Sequence, residues 1–324
     1  MRPAFSVIFL TTLIGAGQGL FLALYTGELY AFFGLLPAQG GRFLAAGSAV
    51  AVALLAAGLA ASFFHLGHPE RAWRSAARWR TSWLSREVIV LPVFMGLVAL
   101  YGIAHAPGWN APVIGLPGGR QVDAALILGA LGTAGAFALF VCTGMIYACL
   151  RFIREWHTPL TVINYVLLGA APGFLLAAAL AAGLAPQIAG FHAGWAAILT
   201  LLAFAGRAAA LARNARLRPK STLSTAIGVK HPRIVQMAQG AMGGSFNTRE
   251  FFHNRPAGFL RRVKWLFLLL CFPAPVALIW AAGAASGGLL LAGFLVQYAG
   301  LLLERWFFFA QANHPQNLYY AAVS

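Results

Sequence analysis

Eight stretches of this chain are predominantly apolar and long: 6–33, 43–64, 87–106, 122–150, 159–183, 189–211, 262–282 and 286–311. A helix needs about 20 apolar residues to cross the hydrocarbon core of a bilayer. In lipid every backbone N–H and C=O must be satisfied within the protein, which leaves helices as the solution for isolated apolar runs of this length. The stretches therefore predict an all-α, polytopic membrane protein with eight transmembrane helices. Residues 1–324 form a single integral membrane domain in this reading. Composition agrees. The chain is 60% hydrophobic and 9% charged, whereas a soluble domain carries about 25% charged residues. The first stretch continues too far for a signal peptide and carries Glu28, so it is read as a retained helix. The short links 184–188 and 283–285 predict two tight antiparallel pairs, helices 5/6 and 7/8. Abundant Gly, Ala and Ser suit close helix approach in lipid. No sequence repeat stands out, although eight helices allow two four-helix bundles.

An even number of spans puts both termini on one face, and charge decides which. Of the 23 Lys and Arg residues, 21 fall on the face of the termini and of the 2–3, 4–5 and 6–7 connections, and 2, Arg42 and Arg120, fall on the other. The positive-inside rule makes the first face cytoplasmic. The chain is expected in a bacterial inner membrane, with both termini in the cytoplasm. The net charge of +16 follows loop position and anionic lipid rather than a nucleic-acid recognition module. The 6–7 connection, 212–260, differs in kind. Its run Gly243 to His253 interleaves aromatics with charges, as a docking surface for a soluble partner would; an ordered lipid-facing loop is the plainer reading.

Cys142, Cys149 and Cys271 lie in apolar stretches without a C-x-x-C pair, so no zinc site or cluster is expected, and no metal. No histidine falls near the middle of a span, and a membrane haem needs axial histidines there; no haem is expected.

The segment from His65 to Glu87 carries the chemistry. Gly67 and Pro69 end helix 2 just past His65, and Glu87 opens helix 3, so two titratable groups sit at one membrane face. His68, Arg71 and Arg86 join them, with Trp73, Trp79 and Trp83 interleaved. An imidazole can hydrogen-bond a quinone carbonyl and exchange a proton near neutral pH, and a carboxylate can relay that proton. The candidate quinone-binding residues are His65, Glu87, Arg86 and Trp83. For His65 alone the plainer reading is an interfacial ring bonded to backbone, and for the tryptophans it is interfacial anchoring. Two further acids lie within spans, where an ionisable group usually faces a partner or water. Glu304, beside Arg305, reads either as a helix-end ion pair or as a proton relay. Glu28, with no adjacent base, could pair with another helix or carry protons.

At His65-Leu66-Gly67-x-Pro69, Arg71-Ala72 and Ser82-x-Leu84-Ser85-x-Glu87 the chain resembles the membrane anchors of dimethyl-sulfoxide-reductase-type complexes, the quinone-interacting anchors of molybdopterin oxidoreductases. The resemblance implies eight helices and an anchor that itself holds no haem or iron–sulfur cluster. It implies ubiquinone or menaquinone bound near the docking face, with the family's histidine and acid falling on His65 and Glu87. The partners it implies are an iron–sulfur subunit with [4Fe-4S] clusters and a catalytic subunit with molybdopterin guanine dinucleotide. Arg71, Arg74, Arg78, Phe246, Arg249 and Phe251 are the candidate docking residues. The long 6–7 connection and the Glu304-Arg305-Trp306 to His314-Pro315-Gln316-Asn317 ending look like the branch serving bacterial sulfite oxidation, and the basic face suits docked subunits in the cytoplasm. The expected function is electron exchange between the iron–sulfur subunit and the quinone pool, with the catalytic centre on another chain. A dimethyl sulfoxide or other S/N-oxide reductase oxidising menaquinol is the neighbouring alternative. A secondary transporter is the rival of another class; such proteins usually bind at mid-membrane between broken helices.

Overall fold

The computed structural model describes the chain except for residues 107–111, 116–120, 219–220, 232, 235–250, 284–285, 316 and 318–324. Its helices are α1 (Phe5–Phe32), α2 (Gly41–Phe63), α3 (Trp83–Ala104), α4 (Ala124–Ala148), α5 (Pro159–Leu184), α6 (Ala189–Ala215), a short α7 (Leu223–Ile227), α8 (Ala257–Cys271), α9 (Pro273–Ala282) and α10 (Gly287–Ala310). Among the described residues eight helical spans are long and apolar enough to cross a membrane, α8 and α9 together forming the seventh. A 3-10 segment, Pro69–Arg78, joins α2 to α3, and a two-stranded hairpin, β1 (Pro112–Gly115) and β2 (Gln121–Asp123), precedes α4.

Side-chain caps set several helix starts. Ser82 accepts from Ser85 N at 3.3 Å, and Asp123 from Leu126 N at 2.8 Å. Such caps satisfy amides that the first turn leaves without helical partners. The Ser82 cap starts α3 at Trp83, four residues before the expected start. Glu87 consequently lies one turn inside the helix rather than at its mouth.

The spans form two four-helix bundles. Helices α1–α4 pack in a ring, α5 and α6 pack with α8, α9 and α10, and α1 against α5 joins the two halves. The central window of α1 is 78% buried and that of α5 67%, against 33–44% for the other six. These two helices are the axis of the molecule. Each carries a Gly-x3-Gly step: Gly15 and Gly19 on α1, Gly169 and Gly173 on α5. The steps face each other. A methyl group on Gly19 would fall 2.3 Å from the Gly169 carbonyl oxygen, and one on Gly173 would fall 2.1 Å from the Gly19 carbonyl carbon. Only glycine permits the backbones to approach so closely, which in lipid maximises van der Waals contact.

The seventh span breaks at Phe272, because Pro273 and Pro275 have no N–H to donate to the carbonyls of Leu269 and Cys271. The freed backbone is not left bare. Gln297 Nε2, on α10, donates to the Cys271 carbonyl at 3.1 Å and contacts the Thr200 hydroxyl at 2.9 Å. The break is thus sealed by protein.

The glycine crossing yields a direct test. Gly173→Ala should overpack the α1–α5 contact, at a cost of about 1–3 kcal/mol or more. Thermal unfolding in detergent should fall by several degrees relative to the parent. Gly194→Ala, with nothing within 4 Å of the added methyl, should leave it unchanged.

Candidate functional site

The segment between α2 and α3 is tied down onto α3. Ser85 donates its hydroxyl to the Ser75 carbonyl. Arg86 donates from Nε to the Trp79 carbonyl at 2.9 Å and from Nη2 to the Arg80 carbonyl at 2.8 Å. Its guanidinium also lies over the Trp83 ring, 4.2 Å from the centroid. Arg86 and Trp83 therefore fix the wall of the loop. Arg71, Arg74 and Arg78 are exposed along the 3-10 segment. Trp73 and Trp79 are exposed too, each under a guanidinium, from Arg74 and Arg80.

His65 and Glu87 have different environments. His65 follows the last turn of α2, its amide bonded to the Ser62 carbonyl at 3.3 Å, and its ring is exposed at the surface. Partial burial by neighbouring atoms holds its pKa below the usual imidazole value. Glu87 is buried, and its carboxylate accepts from the Thr143 hydroxyl on α4. Among the described residues no hydrogen bond or ion pair joins the two. They share a face of the molecule at different depths. His68 instead makes a local, exposed contact with Glu70 at 3.0 Å, and Arg71 lies 3.6 Å from the same carboxylate.

Glu87 faces inward, onto a cavity of about 10 Å³ lined also by Gln18, Thr143, Tyr165 and Arg305. That volume is close to the minimum for one water molecule. An aromatic ring does not fit there. Gln18 lies deeper, donating to the Ala136 carbonyl at 2.8 Å.

Glu304 is not a helix-end residue. It is buried and lies between two cations, with Arg207 Nε of α6 at 2.7 Å and Arg305 Nη1 at 3.4 Å. The Arg305 guanidinium covers the Tyr165 ring at 3.8 Å, and Arg207 lies over Phe267 at 5.5 Å. Two of the cations counted on the basic face, Arg207 and Arg305, are thus inside the helix bundle. Setting them aside leaves 19 basic residues on one face and 2 on the other, so the asymmetry stands.

Glu28 lies at the far end of α1, at the opposite face. It accepts from the Tyr101 hydroxyl at 2.6 Å and lies 3.2 Å from His105 Nε2. It has the partner helix that its isolated position in the sequence called for. Of the docking candidates, Phe246 and Arg249 lie outside the described residues. Phe251 stacks on His314 at 3.9 Å, and its carbonyl accepts from Asn317 at 3.2 Å. It clamps the chain's last described turn to the end of the 6–7 connection.

Sequence reasoning missed Thr143, Tyr165 and Arg305 as members of the Glu87 site. A helical spacing signal existed for one of them: Arg305 is one turn inside the end of α10, on the side of the buried Leu301 and Phe308.

The sequence that forms these eight spans and the pinned loop is similar to known proteins. The chain is 60% identical, over the full length of both chains, to a sulfite dehydrogenase subunit of Allochromatium vinosum. The model of the DMSO reductase anchor subunit (DmsC) family matches residues 1–320. With a match that runs through all eight spans and through the His65–Glu87 segment, the chain belongs to the DMSO reductase anchor subunit family.

Proposed function

We propose that this chain is the quinone-reactive membrane anchor of a sulfite-oxidising molybdenum enzyme whose soluble subunits dock on the cytoplasmic face of the inner membrane. Sulfite is supported by the full-length likeness to a protein named as part of a sulfite dehydrogenase. The quinone reading rests on one observation above the rest: an exposed imidazole, His65, and a buried carboxyl group, Glu87, occur at successive depths on the basic face.

The residues fit the headgroup of a quinone, which needs a hydrogen-bond donor at a carbonyl and a proton source beside it. When bound, the quinone supplies two-electron, two-proton chemistry. His65 donates from a ring nitrogen to the headgroup oxygen. Trp83, with Arg86 over it, provides a flat wall, and the hydrogen bonds of Arg86 to the loop carbonyls keep that wall in place. Glu87, held by Thr143, passes a proton at its carboxylate. Electrons reach the quinone from an iron–sulfur subunit with [4Fe-4S] clusters, itself served by a molybdopterin subunit. That partner presents acidic surface to Arg71, Arg74 and Arg78 and reaches the 6–7 connection.

A second reading has support in the family's own description, that of a DMSO reductase anchor. It assigns quinol oxidation and an exported catalytic subunit. Orientation separates the two. Reporter fusions at residue 230 and at the C-terminus should report cytoplasm, and one at residue 120 should report the outside. The reverse pattern favours the exported reductase.

The site itself is tested in the assembled complex. His65→Ala should lower quinone-linked sulfite oxidation by about 100-fold, the lower end of what a positioned proton-transfer group contributes, while activity with an artificial acceptor persists. Glu87→Gln keeps an acceptor for Thr143 and removes titration. Its quinone-linked rate should fall and lose its pH dependence. Normal rates and pH profiles in both variants would place the quinone elsewhere.

A further inference from the structure

Two cavities flank Arg305. The first is the one shared with Glu87. The second, also about 10 Å³, lies between α5, α6, α10 and the 149–158 connection, and is lined by Asn164, Arg207, Glu304 and Arg305. Its outer rim is formed by Glu155, Asn214 and Gln311, which are half-buried at the basic face. Arg305 lines both cavities.

Several polar atoms around them make no hydrogen bond. Arg305 Nε, Glu304 Oε2, Arg207 Nη2 and Asn164 Oδ1 are buried without a hydrogen bond. Leaving one such group unsatisfied costs about 1–3 kcal/mol, and more when it is charged. Proteins meet that cost with ordered water wherever a polar space of water size adjoins the group. Here the spaces adjoin the groups, one on each side of Arg305.

Charge points the same way. Arg207 and Arg305 exceed Glu304 by one positive charge, inside a bundle where an unbalanced ion is expensive. The first cavity puts Glu87 opposite that excess. The charged or titratable groups around Glu87 are Arg86 on its own helix, Cys142 and Tyr147 on α4, Tyr165 on α5 and Arg305 on α10; α1 contributes the neutral Gln18 and Thr11.

The route is closed in the other direction. Past Gln18, the side chains of Leu20, Phe21, Leu24, Phe94 and Leu139 are fully buried and apolar. Phe21 packs edge-on against Phe94 at 5.5 Å and against Tyr101 at 5.3 Å. This layer separates Glu87 from the Glu28–Tyr101–His105 group.

We propose that ordered water joins the two cavities into one proton route between Glu87 and the aqueous basic face, with Arg305 as its positioning residue. The proposal rests on the quinone reading above and adds where the protons travel. Each quinone reduced takes two electrons from the docked iron–sulfur subunit and two protons, which form its two O–H bonds. Glu87 gives a proton to the headgroup and is reprotonated from the basic face through the water beside Arg305, Glu304 and Asn164. Electrons and protons then arrive from the same face, and no charge crosses the bilayer.

The test uses the assembled complex. Asn164→Leu keeps the number and branching of side-chain heavy atoms, and removes the polar wall of the second cavity together with the hydrogen bond to the Gly206 carbonyl. It should slow quinone-linked turnover by about tenfold, a modest share of what proton-transfer groups contribute. It should also increase the rate ratio between H2O and D2O, because proton delivery becomes limiting. Artificial-acceptor activity should not change. Arg305→Lys keeps the charge and loses the planar fork, and should show the same isotope signature. In proteoliposomes of the parent complex, with reduced methyl viologen in place of sulfite so that the donor releases no proton, a dye on the basic face should report proton uptake during quinone reduction, with no membrane potential formed. Normal turnover and isotope ratio in assembled variants, or uptake from the opposite face with a membrane potential, overturns the route. Should a variant fail to assemble, the proteoliposome measurement decides alone. The outcomes separate from those for the quinone site: normal Asn164→Leu and Arg305→Lys complexes alongside impaired His65→Ala and Glu87→Gln complexes remove the route and leave the site.

Discussion

The crossing of α1 and α5 is the contact on which the rest of the molecule depends. Four glycines in two facing steps bring the backbones together, and neither helix tolerates a methyl group at the closest points. Lipid tails are as apolar as the side chains, so burial of apolar surface gives little drive to associate spans in a membrane. Close packing of backbones has to supply it. The same glycines create the space beside the site. Gly15 and Gly169 line the cavity that Glu87 faces, because residues without side chains bring helices together at one level and leave a gap at the next. The joint between the two bundles and the chamber next to the carboxylate are one feature.

Polar groups are distributed unequally between the two ends of the bundle. At the basic face lie the pinned loop, Glu87, the Arg207–Glu304–Arg305 cluster and both cavities. At the other face Glu28 is already satisfied by Tyr101 and His105. Buried aromatic and aliphatic side chains separate the ends. A transporter of the rocking type would place its polar residues around the midplane between broken helices. Here, among the described residues, the break lies in the seventh span, and the carbonyl that Pro275 leaves free, that of Cys271, is bonded by Gln297.

The eight spans were legible because apolar length is a direct consequence of the bilayer's thickness. The central role of α1 and α5 was not, since all eight stretches are apolar and composition does not say which faces meet lipid. The Gly-x3-Gly steps carried that information, but only as a pair, and pairing is a property of three dimensions. Glu87 was placed at the mouth of its helix, whereas it lies one turn inside. The apolar run begins after it, whereas the helix begins earlier, at the Ser82 cap. Hydropathy marks where lipid starts; capping marks where the helix starts. Arg207 and Arg305 were misassigned for a related reason. Both stand near the ends of apolar runs, where arginine commonly reaches out to water, and only the packing of α5, α6 and α10 around them turns their side chains inward.

That inward turn needs an explanation beyond stability. Buried ion pairs seldom stabilise a fold more than apolar residues of the same shape would, because desolvation offsets the attraction between the charges. A cluster with two cations and one anion is worse still, and its guanidinium and carboxylate atoms are not all bonded to protein. Nothing in the packing of α6 against α10 requires it; Phe267, Phe307 and Leu301 already fill the neighbouring core. The cluster does require water and a second carboxylate nearby, and both requirements point across the cavity to Glu87. A residue pattern that costs stability is retained where it serves a site. On the route proposed above, it ties the buried Glu87 to the aqueous surface at the basic face.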